Sequence, residues 1–389
     1  MTKKTMDLSG LGLASRLAHA GREAARADGT VNPPVQRATT LLFDDVETLY
    51  HGAKTYALEG MAAHEALCEA LLAVEGGAGA VLAPSGLAAC TLALLTVARG
   101  GGEVLVVDSV YKPTRNFSDS VLERLGISVR YYDPRIGEAI AGLITDKTCA
   151  IMLESPGSLT FEVQDVPAIV KAARARGVAT IIDNTWSAGV YFKPFDHGVD
   201  ISVQALSKYQ GGHADVLMGA VIGGTPHWAK AVLETWRQLG LGVSADDAYL
   251  VLRGMRSLSA RLERHAASAL QIARWIEGQP QVSRMLCPAL ESSPDHALWK
   301  RDFTGASGLF AFVLKPAPAE RVAAMLESLK LFGLGFSWGG FESLAIPCDP
   351  QIVRTAQPWR AEGQTVRLSI GLEDPEDLKA DLAQALARI

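Results

Sequence analysis

The sequence predicts an α/β fold: a large domain built on a mostly parallel sheet between helices, followed by a smaller α+β domain. Two patterns carry this expectation. From about residue 56 to 245, short apolar runs alternate with helical stretches, which is how a parallel sheet covered on both faces is written. After about residue 246 the alternation gives way to long helical segments, isolated strand-like runs and a glycine-rich stretch. A chain of 389 residues, 48% hydrophobic and 20% charged, is long and apolar enough to bury a large core in two domains.

In chain order, residues 1–55 have mixed character and are expected to form an N-terminal arm that packs on a neighbouring subunit. They comprise an amphipathic opening, the extended Pro33-Pro34 pair and the segment LLFDDVETL. The expected large domain, 56–245, contains the strand runs EVLVVDS, ISVRYYD, CAIMLES, ATIIDNT and DISVQALS, separated by helices over 114–125, 135–144 and 165–176. The expected small domain, 246–389, opens with helices through 275. It continues with the strand GLFAFVLK, a helix over 318–329, the Gly-rich LFGLGFSWGG, the strand TVRLSI and a final helix from 375.

A net charge of -5 gives no clustered positive surface for nucleic acid or anionic membranes, so neither is expected as a partner. The five cysteines, Cys68, Cys90, Cys149, Cys287 and Cys348, have no CxxC spacing, and several sit in apolar runs. They fit a reducing, cytoplasmic setting, as does an N-terminus without a continuous apolar core. His51, His64, His197 and His213 lack metal-ligand spacing, and no metal is expected. Gly10-x-Gly12 and Gly76-Gly77-Ala78-Gly79 lack the strand context of a dinucleotide loop.

Ligands of open α/β sheets bind beyond the carboxyl ends of the strands, so the polar residues that end the apolar runs are the candidates: Asp108, Glu154, Asp183 and Ser207-Lys208. The run GAVLAPSGLAACTLALL passes from strand to helix through Pro84-Ser85-Gly86. It is either an ordinary strand-turn-helix corner or an anion site made by the free amides of a helix start. Asp183 and Lys208 end neighbouring runs. A lysine there is either simply solvated or, with Ser207 before it and Tyr209 and Gly211-Gly212 after it, placed against a bulky ligand. A carboxylate beside a pyridine nitrogen keeps that ring protonated, and a desolvated lysine near positive charge has the free amine that condenses with an aldehyde.

Taken together, Asp183, Ser207-Lys208 and Ser85-Gly86-Leu87 resemble the cofactor frame of the Cys/Met-metabolism branch of fold-type I pyridoxal-phosphate enzymes. The resemblance is strongest to the cystathionine β-lyases of that branch. It extends from about residue 30 to the end through LESPGSLTFEVQDVPAIV, IDNTWSAGV, WKRDFTGASGLFAFVL, SWGGFESL and VRLSIGLED.

The resemblance implies a seven-stranded large-domain sheet and pyridoxal 5'-phosphate held covalently by Lys208. It implies that Ser85, Gly86, Leu87 and Ser207 hold the phosphate, that Tyr111 stacks on the ring and takes part in proton handling, and that Asp183 pairs with the ring nitrogen. Tyr56 would reach the phosphate from a neighbouring subunit, in a homotetramer built from dimers. Arg367 would grip the substrate carboxylate, with Ser337, Trp338 and Asn184 bordering it. The implied reaction is β-elimination from a sulfur amino acid, L-cystathionine or another cysteine conjugate, in methionine synthesis. The alternatives are a γ-lyase or sulfhydrylase of the same family, against which Trp338 argues, or a binding protein that kept the fold. One departure stands out: where the family commonly carries Arg two residues after Tyr56, this chain has Leu58, and Lys54 and Lys112 are the candidate replacement cations.

Overall fold

The computed structural model describes residues 7–22 and 29–389; the remainder of the predicted arm, residues 1–6 and 23–28, lies outside the described residues. Seven strands form the large sheet: β1 (Gly79–Ala83), β2 (Glu103–Val107), β3 (Ser128–Tyr132), β4 (Thr148–Glu154), β5 (Ala179–Asp183), β6 (Ile201–Gln204) and β7 (Gly219–Gly223). Their order is β1-β7-β6-β5-β4-β2-β3. The pairs β2–β3, β2–β4, β4–β5 and β5–β6 are parallel, and β7 runs antiparallel to both β1 and β6. The fold class expected from the sequence is therefore present.

The central strands are apolar along their whole length because both faces are covered. Val104 to Val107, Ala150 to Leu153 and Ile181 to Ile182 are buried in one continuous core with residues of the helices Gly86–Val97, Val166–Ala175 and Pro226–Leu239. The apolar pattern of the sequence does not mark strand β7. Its sequence, GAVIG, is short and bounded by glycines, which ordinarily read as turns. The structure explains both ends: a Cβ on Gly219 would lie 2.4 Å from the Ser85 carbonyl oxygen, and one on Gly223 would lie 2.2 Å from the Ala229 amide.

The helix expected over 114–125 starts earlier, as Lys112–Phe117 with Pro113 in its first turn, and continues as a wider π-type turn over Ser118–Leu122. The helix expected over 135–144 is a 3-10 segment, Gly137–Gly142. The second sheet contains β8 (Val282–Leu286), β9 (Leu309–Leu314), β10 (Gly333–Leu334), β11 (Leu344–Pro347) and β12 (Thr365–Ser369), in the order β10-β11-β12-β9-β8. The helices Leu258–Glu277 and Pro375–Leu386 cover it with a second apolar core. Among the described residues no helix is long and apolar enough to cross a membrane.

The two sheets are tied together where β2 ends. Asp108 is fully buried, and its carboxylate accepts hydrogen bonds from the backbone amides of Thr355 (2.9 Å), Ala356 (2.8 Å) and Gln357 (3.2 Å), and from the Arg115 guanidinium. Arg354 donates to the Asp108 carbonyl and to Thr160, and pairs with Glu162 at 3.2 Å. The segment between β11 and β12 is thereby strapped across the carboxyl end of the large sheet.

Candidate active site

A cavity of about 550 Å³ opens at that carboxyl end, between the large sheet and the loop that precedes β11. Ten of the twelve residues to which the resemblance gives a role line it: Ser85, Gly86, Leu87, Tyr111, Asp183, Ser207, Lys208, Ser337, Trp338 and Arg367. The strand-end rule finds three of these ten, since Asp183 closes β5 and Ser207-Lys208 follow β6. Glu154, which closes β4, also lines the cavity, whereas Asp108 serves the strap instead.

Asn184 does not join this group. Side chains along a strand alternate between faces, so the residue after Asp183 points away from the cavity. Asn184 is fully buried, donates to Glu75 at 2.7 Å and to the Phe192 carbonyl, and accepts from Ser187 at 2.6 Å. Tyr56 also stands apart from the cavity wall and is 53% exposed in the single chain.

At the phosphate-type corner, Ser85 caps the helix Gly86–Val97 by accepting from the Ala88 amide at 3.1 Å. The amides of Gly86 and Leu87 are the first two of the helix and have no acceptor within it. Glycine is required at 86 because a Cβ there would sit 2.5 Å from that of Ala205, just past β6. Ser207 is already engaged: its hydroxyl accepts from the Met218 amide at 2.9 Å and donates to the Met218 carbonyl at 3.2 Å.

Lys208 Nζ donates to Ser337 Oγ at 2.6 Å and lies 5.3 Å from the centre of the Trp338 ring. Burial, reinforced by the Arg367 guanidinium and opposed by Asp183, brings its pKa down to about 8. Ser337 adopts a φ of +78°, a conformation that non-glycine residues rarely take. Gly339 follows at +83°, where a Cβ would stand 3.0 Å from the Tyr209 amide. The loop is thus pressed onto the Lys208 backbone, and Trp338 packs against Tyr209 at 5.4 Å between ring centres.

Asp183 accepts from the Thr185 amide at 3.0 Å, the Thr185 hydroxyl at 2.5 Å and the Cys90 thiol at 3.6 Å. Burial raises its pKa, and these donors together with Lys208 work against that rise. Glu154 is in register with Asp183 on the neighbouring strand. Burial, then the Asp183 charge, push the Glu154 carboxyl well above the usual range, although it accepts from the Tyr111 amide at 2.7 Å. Asp183 has the more numerous donors of the two, so its ionised form is the better supported by hydrogen bonds. Arg367, on β12, is almost fully buried. It donates to the Ser337 carbonyl at 2.8 Å, and its Nε has no protein partner.

Several lining residues escaped the sequence reading, among them Asn116, Trp186, Leu217, Phe336 and Gln351. Asn116 had a usable signal, lying one helical turn beyond Lys112 in the helix that follows Tyr111. Gln351 had none, because only the strap brings it to the cavity.

An exposed helix start for a phosphate, a buried carboxylate for a protonated ring nitrogen, an amine with lowered pKa for an aldehyde and an unsaturated guanidinium for a carboxylate fit pyridoxal phosphate with an amino-acid substrate. Fold and site together define a pyridoxal-phosphate-dependent enzyme of fold-type I. The chain belongs to the family of Cys/Met metabolism PLP-dependent enzymes, whose model matches residues 14–387. It is 41% identical over 390 residues to the cystathionine beta-lyase of Escherichia coli (strain K12), covering 97% of this chain and 98% of that one. It is 37% identical to the L-alanine/L-glutamate racemase of Wolbachia pipientis wMel, covering 96% and 97% of the two chains. Its fold matches the crystal structure of an O-acetylhomoserine (thiol)-lyase from Campylobacter jejuni that carries a pyridoxyl-lysine. The TM-score is 0.88 at 26% identity, over 97% of this chain and 100% of that one.

Proposed function

We propose that this enzyme cleaves L-cystathionine by β-elimination to homocysteine, pyruvate and ammonia, a step of methionine synthesis, and that it also accepts other cysteine S-conjugates. The observation that carries the reading is one cavity in which the Lys208 amine, its pKa lowered to about 8, shares the wall with the Asp183 carboxylate and the Arg367 guanidinium. Its support from kinship is 41% identity to a cystathionine beta-lyase over almost the whole chain.

When bound, pyridoxal phosphate supplies a sink for the electrons of the Cα–H bond and returns them to expel sulfur at Cβ. The amides of Gly86 and Leu87 would hold the phosphate, and Ser207 would join them by turning its proton away from the Met218 carbonyl to which it now donates. Asp183 would pair with the ring nitrogen and keep it charged, and Tyr111 would stack on the ring. Arg367 takes the substrate α-carboxylate with the guanidinium edge that no protein group occupies. Lys208 Nζ would hold the aldehyde of the cofactor and, as a free amine, would take the substrate's Cα proton and return one to the departing sulfur, with Tyr111 beside it. The Cβ–S bond breaks with its electron pair on sulfur, and hydrolysis releases the remainder as pyruvate and ammonia. The ring of Trp338 narrows the space in which Cγ chemistry would be arranged.

The proposed assembly is a homotetramer of dimers in which Tyr56 from a neighbouring copy reaches the phosphate. Leu42, Val46 and Tyr50 are 92%, 70% and 73% exposed, an apolar surface suited to burial against that copy. Light scattering should give the mass of four chains. Five free thiols favour a cytoplasmic setting.

The deciding experiment is product analysis on L-cystathionine. Pyruvate and homocysteine are expected; α-ketobutyrate and cysteine would replace the β-lyase reading with a γ-lyase one. Because one relative is a racemase, which also works on the Cα proton, D-alanine formed from L-alanine is measured alongside.

A further inference from the structure

The proposed substrate carries two carboxylates, and Arg367 accounts for one. The cationic side chains lining the cavity are Lys112, Lys208 and Arg367, and Lys208 is the reacting amine. Lys112 is left without a part in the chemistry. It is the first residue of the helix Lys112–Phe117, directly after Tyr111. Its Nζ donates to the Pro350 carbonyl of the strap at 3.1 Å, one acceptor for a group with three N–H bonds.

Its position separates it from the phosphate. Gly86 packs on Ala205 just past β6, whereas Lys112 follows β2, three strands along the order β6-β5-β4-β2. At ~4.8 Å per strand that is about 14 Å across the sheet. Asn116, Ser158 and Gln351 also line the cavity and can donate, but they are neutral, and with Lys208 and Arg367 engaged Lys112 is the lining cation left for a second carboxylate. Lys54, the other cation considered for the missing arginine, pairs with Glu65 and is absent from the cavity wall.

We propose that Lys112 is a specificity-determining residue whose ammonium binds the distal carboxylate of the substrate, making the enzyme selective for cysteine conjugates with a second acidic group. The assignment rests on the β-lyase reading. The test compares Lys112→Met, Lys112→Arg and parent holoenzymes for pyruvate release from L-cystathionine and from S-ethyl-L-cysteine, with bound cofactor followed by its visible absorbance. The expected result is a fall of about 10-fold in the ratio of kcat/KM for cystathionine over S-ethyl-L-cysteine. The fall should be carried by KM and largely restored in Lys112→Arg. An unmoved ratio overturns the proposal, and so does loss of cofactor absorbance with equal loss on both substrates, which would assign Lys112 to the phosphate. Parent enzyme that releases pyruvate from neither substrate overturns the β-lyase reading and this assignment with it.

Discussion

Lys208 Nζ and Ser337 Oγ lie 2.6 Å apart, joining the large sheet to a serine held at a φ of +78° on the loop before β11. A residue kept in so disfavoured a backbone conformation, with its hydroxyl on the amine proposed to condense with the aldehyde, ties local strain to a site. Replacing Ser337 with Ala removes the contact and leaves the strain. A kcat lower by roughly 10-fold is expected, with KM less affected, from steady-state pyruvate release. Ser337→Gly should lose similar activity and gain thermal stability, because glycine adopts this conformation freely. An Ala variant as active as the parent would remove Ser337 from the positioning of the amine.

A second expectation concerns pH. The Lys208 pKa is lowered from 10.5 to about 8 in the folded chain, by burial first and then by Arg367. Capture of pyridoxal phosphate by cofactor-free protein requires the neutral amine, so its rate should climb with pH around a midpoint of about 8. Between pH 8 and 10.5 the unfolded chain binds this proton and the folded chain does not. This group's contribution therefore favours folding increasingly as pH rises through that window, and the full penalty of burying the charge is felt below it. Stopped-flow absorbance across this range checks the midpoint. Arg367→Met should move the midpoint upward, since it removes a neighbouring positive charge.

Asp183 tests the electron sink. Asn in its place can still accept from Thr185 through its amide oxygen, so folding should be retained and the melting midpoint should change by no more than a few degrees. The charge proposed to keep the ring nitrogen protonated is lost, and kcat should fall by roughly 100-fold or more. Pyruvate release equal to that of the parent would refute the role.

These residues were legible in the sequence because an apolar strand ends in a polar side chain where the sheet meets its ligand. Asp183 and Glu154 close their strands, and Lys208 lies in the turn just past β6. Asn184 shows its limit. Adjacent positions point to opposite faces, and the functional-looking pair Asp183-Asn184 divides into one cavity residue and one held by Glu75 beneath the sheet. Strand β7 was hidden because close packing on Ser85 and Ala229 forces glycines that read as turns. The strap was hidden for another reason: its amides meet Asp108 across more than half the chain, and backbone donors leave no mark in side-chain pattern.

That strap supplies the last prediction. Asp108 is a fully buried carboxylate whose partners are the Thr355, Ala356 and Gln357 amides and the buried Arg115. Asp108→Ala leaves three amides and a guanidinium without their acceptor, and breaking one side of such a buried pair costs about 3–5 kcal/mol. Urea unfolding should report a loss of that size. Asp108→Asn keeps an oxygen acceptor and should lose less. Because the strap also carries Gln351 to the cavity wall, the Asn variant, which stays folded, should raise KM for cystathionine more than it lowers kcat. A variant destabilised as expected but with KM unmoved would confine Asp108 to stability and leave the shape of the cavity to other contacts.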